Sequence, residues 1–460
     1  MKKINFKDKY LISFLGLMII FVLSVLMNTL LPLKYEIPIL LLAIGILMLG
    51  IFSKSKWLKV ILSVILAVGS AGLIYSQSVA HRLLEQAEFD SNSFVFLVLM
   101  DSPIQTIAEA KESQFAHAKT LANGELEFIK EHMIEKHDIR MNLSEFNNEL
   151  DMVESLFNDD VDVMIVDGAV IPLLEDEDEF FLTKVRVIYS INYETIRENI
   201  GKDVEIDKEA FIIFISGIDI EGPINSRSRS DVNILMVVNP TKQKILTISI
   251  PRDTYVNLGC RTGEKDKLTH AGIYGIGCSV NTIENLFDIE INYYVRVNFT
   301  SVINIVDIIG DIDVYSMYSF SSGGYTFRQG MNTLDAQATL RFSRERYSLP
   351  GGDITRGLNQ QEVIKGLVNK IIEPSSLLRI EEIVRATASS IDTNMPSSDL
   401  TRLIRLQLDQ NIKWNFESMH LEGRGDSQPT YSMGSRLLYV MYPDLNSLQT
   451  IQRKIAETLK

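Results

Sequence analysis

Three uncharged apolar runs open the chain, Leu11–Leu33, Ile37–Ser53 and Val60–Ala80. A bilayer core takes about 20 apolar residues per helix, roughly 17 at the short end, so all three are long enough to span. Lys2, Lys3, Lys7 and Lys9 precede the first run, and Lys54, Lys56 and Lys59 separate the second from the third. The link between the first two has only Lys34, balanced by Glu36. The excess of cations on one side predicts a cytoplasmic N-terminus and everything after about residue 80 outside the cell. A cleaved signal peptide fits less well, because a small-residue cleavage site is missing and two further runs follow.

The 460 residues exceed one ordinary core, so further domains are expected beyond the anchor. The first 80 residues hold eight Lys/Arg and two Asp/Glu, leaving 37 bases against 57 acids in the remainder. That acidic balance argues against nucleic acid as a partner. Any anionic ligand must be held by a local basic cluster. Cys260 and Cys278 are the only cysteines. On the outer side such a pair points to a disulfide, with free thiols as the alternative.

The chain after the anchor divides into two parts. Ser76–Asn92 reads as a short polar helix. The segments 94–100, 161–168 and 184–191 are strand candidates, and residues from about Ile104 to Glu135 carry helical spacing. This predicts a small α/β accessory domain over 81–200, with "EDEDEF" (175–180) as a solvated loop. A larger α/β domain, a central sheet flanked by helices, is expected over 201–460. Its strands are read at 211–217, 232–238, 245–250 and 292–299, the second and third joined as a hairpin by "NPTKQK". Helices are read at 301–310, 334–346, 353–372, 376–390, 398–409 and 444–459. Residues 1–10 form a cytoplasmic tail and 11–80 the three-helix anchor.

Chemistry concentrates in three places. In "SGIDIEGPINSRSRSD", Asp219 and Asp231 each end or precede an apolar strand, and two such carboxylates suit a hard divalent cation; strand-end aspartates also cap turns. In "ISIPRDTYV", Arg252 leaves a strand, free either to meet phosphate with its planar fork or to pair with Asp253. In "LRFSRERYSLPGGDITRGLNQQ", Arg341, Arg344 and Arg346 lie within six residues, and Asp353 is placed to cap a new helix. Arg356 and Gln360, four apart, share a face near that helix's positive end. A ladder of surface ion pairs is the competing reading. His270 reads as a satisfied polar residue. Phosphate loops, dinucleotide fingerprints, serine elbows and zinc-helix motifs are absent from the sequence.

The run "SRSDVNILMVVNP…ILTISIPRDTYV…KLTHAGIYG…VRVNFTSVINIVDIIGDIDV…GMNTLDAQATLRFSRERYS…GGDITRGLNQQ" resembles the LytR–CpsA–Psr family over about residues 205–380. The three-helix anchor and extra α/β domain resemble its streptococcal capsule branch (CpsA/Wzg-like). The resemblance implies a phosphotransferase that moves undecaprenyl-diphosphate-linked polysaccharide onto peptidoglycan at the membrane. It implies Asp219 and Asp231 as ligands of magnesium, with manganese as the alternative. Arg229, Arg252, Arg344, Arg346, Arg356 and Gln360 are implied to contact the diphosphate. Arg252, Asp231, Arg344 and Asp353 are the implied catalytic set, and other capsule-assembly proteins are candidate partners. Arg227 and Arg341 are not family positions and read as pairing or solvent residues. Hydrolysis of the diphosphate is the alternative activity. A membrane-bound transcriptional attenuator is the alternative of another class, for which the short cytoplasmic segments leave no DNA-binding domain.

Overall fold

The computed structural model describes residues 8–28, 31, 33–82, 89–196, 200–218, 224–377, 379–387 and 390–460. Three helices open it, Lys9–Leu26, Leu33–Phe52 and Lys56–Arg82, each long and apolar enough to cross a membrane. Leu11, Phe14, Met18, Ala43, Leu62 and Leu66 pack between them. The segment read as a separate polar helix, Ser76–Asn92, is corrected: the third helix runs into it without a break as far as Arg82, and from Phe89 the segment belongs to a strand.

A five-stranded mixed sheet follows, in the order Asn142–Phe146, Gln114–Ala118, Val163–Asp167, Phe89–Leu99, Val185–Ile196. The helical reading of 104–135 is corrected here: the helix is Asn123–His137, and Gln114–Ala118 is an interior strand. Phe115 and Ala116 are buried on opposite faces of the sheet, so tertiary pairing overrides the weak strand preference of this stretch. The acidic run is also corrected. Its first half lies in the helix Ile171–Glu177, and three of its five acids are paired: Asp176 with Arg229, Glu177 with Arg436, Asp178 with Lys184.

The larger unit is a six-stranded sheet, in the order Ile391–Thr393, Tyr293–Val297, Phe211–Gly217, Val232–Asn239, Lys244–Ser249, Asn415–His420. The hairpin expected at 232–250 is present, pairing Asn239 with Lys244 at its closed end. Both faces of this sheet are covered, which is why its central strands read as largely apolar runs. Ile212, Phe214, Leu235, Val237, Leu246 and Ile248 face the helices Ile276–Phe287 and Leu445–Leu459. Phe211, Met236, Val238 and Ile245 face Asp353–Ile371 and Ser397–Gln410. Each such side chain, fully buried, contributes about 1.5–3 kcal/mol. A third cluster joins the helices Phe299–Ile309, Ala336–Arg344 and Ile380–Thr387 to two small hairpins. The helix expected at 334–346 is shorter, because Asp335 caps it by accepting from Ala338 N–H at 2.7 Å and Leu334 belongs to a strand. Cys260 and Cys278 form a disulfide that ties a loop to the helix Ile276–Phe287.

Candidate functional site

Antiparallel pairing brings the start of Val232–Asn239 and the end of Lys244–Ser249 to one edge of the sheet. Asp231 and Arg252 therefore meet there, although 21 positions apart. Arg252 Nη1 donates to Asp231 Oδ1 at 2.9 Å, and the Thr269 hydroxyl donates to the same oxygen at 3.2 Å. Among the described residues, neither reaches Asp231 Oδ2. The backbone fixes this arrangement. Asp231 N–H donates to Gly217 O at 2.8 Å, and Thr269 N–H to Arg252 O at 2.9 Å. Asp253, the alternative partner, pairs more closely with Lys267, at 2.9 Å, and stands 4.0 Å from Arg252 Nε.

The helix Asp353–Ile371 lays its first turns across this edge. A Cβ on Gly357 would stand 2.3 Å from Ser249 Oγ, so glycine is what permits the approach. Asp231, Ser249, Arg252, Asp353, Arg356 and Gln360 line one small cleft, of about 10 Å³. That is room for roughly one water, so anything larger must bind at its mouth. The capping role read for Asp353 is corrected. Gly351 and Gly352 take positive φ (78° and 54°), which makes Gly352 the cap and Asp353 the first helical residue. Its carboxylate pairs with Arg356 one turn on. Gln360 donates to Ser343 O at 3.2 Å and so joins this helix to Ala336–Arg344.

The electrostatics are those of a basic cluster around a buried carboxylate. Burial pushes the Asp231 carboxyl up, but Arg252, Arg229 and Arg356 outweigh it and hold it below its usual range. Burial lowers the Arg252 pKa, yet Asp231 and Asp253 raise it overall. Burial holds Arg356 below its usual value despite Asp353, and the positive charges of Arg252 and Arg346 add to the effect. Arg252 Nε is buried without a hydrogen-bond acceptor among the described residues.

Not every expected residue joins the cluster. Asp219 lies outside the described residues. Arg229 is near enough to act on Asp231, but its guanidinium pairs with Asp176 of the smaller unit. Arg344 lies over the Phe299 ring, 4.0 Å from its centre, because its helix ends against Phe299–Ile309. Arg227 pairs with Glu125 at 2.6 Å, as a pairing residue should. His270 is buried, 2.6 Å from Asp266, in a structural network with Ser432.

Three residues escaped the sequence reading. Thr269 fixes Asp231, and His420 lines the cleft from a strand the pattern did not reveal. Tyr347 is 87% exposed, and its hydroxyl accepts from Arg346 at 2.6 Å. That hydrogen bond lowers its pKa, with Arg252 and Arg356 assisting. A tyrosine following "RER" was the available signal.

These features define an α/β domain that displays arginines and carboxylates at a sheet edge, in a chain opening with three apolar helices. Residues 182–454 match the LytR_cpsA_psr family, and the chain belongs to it. A relative from Enterococcus faecalis, polyisoprenyl-teichoic acid–peptidoglycan teichoic acid transferase TagU, is 34% identical over 215 residues, 46% of this chain and 70% of that protein. Bacillus subtilis TagU, of the same name, is 30% identical over 275 residues, 58% and 86% of the two chains. The crystal structure of B. subtilis TagU aligns with a TM-score of 0.44 and 30% identity, covering 55% of this chain and 98% of that one.

Proposed function

We propose that the chain is a membrane-anchored glycan phosphotransferase of the family's capsule branch (CpsA/Wzg-like). It transfers a polyprenyl-diphosphate-linked capsular polysaccharide to peptidoglycan on the outer face of the membrane. The observation that carries this reading is the gathering of Arg252, Arg346 and Arg356 around Asp231 and Asp353 at one sheet edge. Such a concentration of fixed cations suits a diphosphate, and the buried Arg252 Nε, which makes no hydrogen bond among the described residues, supplies a donor for one of its oxygens. The names of the TagU relatives support a polyisoprenyl-linked donor and a peptidoglycan acceptor. A polyprenyl donor resides in the bilayer, where the three apolar helices would keep the enzyme.

In the reaction, a peptidoglycan sugar hydroxyl attacks the sugar-proximal phosphorus. An O–P bond forms, the bridging P–O bond breaks, and polyprenyl monophosphate leaves. The hydroxyl proton passes to a carboxylate, for which Asp353 is the candidate. Phosphoryl transfer depends mainly on positioning and charge neutralisation, so the arginines do most of what the chain contributes. An ionised Asp231, whose Oδ2 is reached by neither Arg252 nor Thr269, fits a magnesium or manganese ligand, with Asp219 as its partner; such an ion would supply further neutralisation of the diphosphate. Arg229, Arg344 and Gln360 complete the proposed donor-binding set. Arg252→Ala is expected to abolish wall-attached glycan while the protein stays in the membrane. Normal attachment in a strain carrying only that variant would remove the proposal.

A further inference from the structure

Between the smaller and larger α/β units lies a cavity of about 150 Å³ with walls from both. An apolar cavity of that size holds a molecule of about six heavy atoms. This one is lined with charge. Glu125 and Asp167 are satisfied. Glu125 Oε1 accepts from Arg227 at 2.6 Å and its Oε2 from Ala122 N–H at 3.1 Å. Asp167 accepts from Asn92 and from Ala169 N–H, each at 2.9 Å, with Arg227 3.6 Å away.

Glu149 is different. Its Oε1 accepts from the Thr120 hydroxyl, but its Oε2 is buried with no hydrogen-bond partner, in a side chain from a residue only 5% exposed. An unmet buried oxygen of this kind is costly to the fold and requires a reason. Burial pushes the group up to about 7, with Asp167 and Asp266 adding to the effect and Thr120 opposing it. Among the described residues, no group of three side chains could hold a metal there. Arg261, in the same lining, has the complementary want. It donates to Cys260 O at 3.1 Å and lies 5.2 Å from the centre of the Tyr274 ring, but among the described residues it meets no carboxylate. The buried Tyr274 phenol, raised chiefly by burial, feels both Glu149 and Arg261, so each of the two lies near that phenol.

We propose that this cavity binds a small zwitterion of α-amino-acid type, its ammonium on Glu149 Oε2 and its carboxylate on Arg261. A simple amine would leave Arg261 without its anion, and a simple carboxylate would leave Glu149 without its donor. The proposal is independent of the transferase reading. It does bear on the same stretch of chain, since Arg227 in the cavity wall precedes Arg229 by two residues and Asp231 by four.

The test uses the full-length protein in detergent micelles, titrated by calorimetry with glycine, L-alanine, D-alanine and L-serine. Propionate and ethylamine serve as half-ligands. At least one amino acid is expected to bind with a Kd below about 1 mM and to raise the unfolding temperature. Both half-ligands are expected to bind at least about tenfold more weakly. Glu149→Gln, nearly isosteric, and Arg261→Met should each weaken binding by about tenfold or more, with unliganded unfolding transitions that remain cooperative. No binding of any of the four at about 10 mM overturns the proposal. So does unchanged binding in either variant, or a half-ligand that matches the whole.

Discussion

Glu149 and Asp231 are both largely buried carboxylates, and the chain treats them in opposite ways. Asp231 is surrounded by arginines, which hold its charge in place against the effect of burial. For Glu149 only the Thr120 hydroxyl and its own backbone N–H oppose burial, which raises it from the usual 4.5 to about 7. The consequence for stability follows from its sign. Below about pH 4.5 the group is protonated in folded and unfolded chains alike. Between there and pH 7 the unfolded chain ionises first, so stability falls as pH rises through that window and levels off above it. Glu149→Gln should flatten this part of the pH profile and raise stability near pH 8 by on the order of 1–3 kcal/mol. Denaturant unfolding of both proteins at pH 5 and pH 8 would measure it. Equal pH slopes in the two would mean that Glu149 is hydrated and not perturbed.

Among elements, the helix Asp353–Ile371 decides whether the candidate site is assembled. It carries Asp353, Arg356 and Gln360, and its approach to Ser249 depends on a missing side chain at Gly357. Gly357→Ala gains about 1 kcal/mol of helix propensity but sets a methyl against Ser249. Its Oγ can rotate away, leaving the Ser249 Cβ at 3.3 Å. Two effects of similar size then oppose each other, so stability should change by less than about 1 kcal/mol. Activity is expected to fall by roughly tenfold or more, because Arg356 next door is displaced. Adding Ser249→Ala should return much of it, and a double variant no better than the single would place the effect elsewhere. The same region shows what can be read from sequence. The strands 232–239 and 244–249 were legible because both faces are buried and each has an apolar run at its centre. Arg356 and Gln360 were legible from helical spacing. Gln114–Ala118 was not, since only its neighbours in the sheet make it a strand. Asp353 was misplaced because two glycines with positive φ, not its own carboxylate, form the cap. The Arg229–Asp176 pair joins residues 53 positions apart in different units, and local pattern contains nothing of it.

At the scale of the whole molecule, the apolar helices meet the larger α/β unit at one end of the bundle. Lys34 donates to Asp409 O at 2.7 Å, and Arg385 donates to the Tyr75 hydroxyl at 3.0 Å. At the opposite end, Asp8 pairs with Lys59 at 2.6 Å. Lys9, Lys54 and Lys56 flank the same helix ends as that pair, the first opening one helix and the others standing around the start of the third. The charge asymmetry along the sequence thus coincides with the two ends of the folded bundle, and the positive-inside rule predicts a cytoplasmic place for the cation-rich end. The transferase proposal requires that orientation, with both α/β units outside, where a peptidoglycan acceptor would be found. Alkaline phosphatase fused after Lys460 is expected to be active, and the same enzyme fused after Lys54 inactive. The reverse pattern would place the arginine cluster on the cytoplasmic side, away from the wall, and the transferase proposal could not survive it even with its site intact.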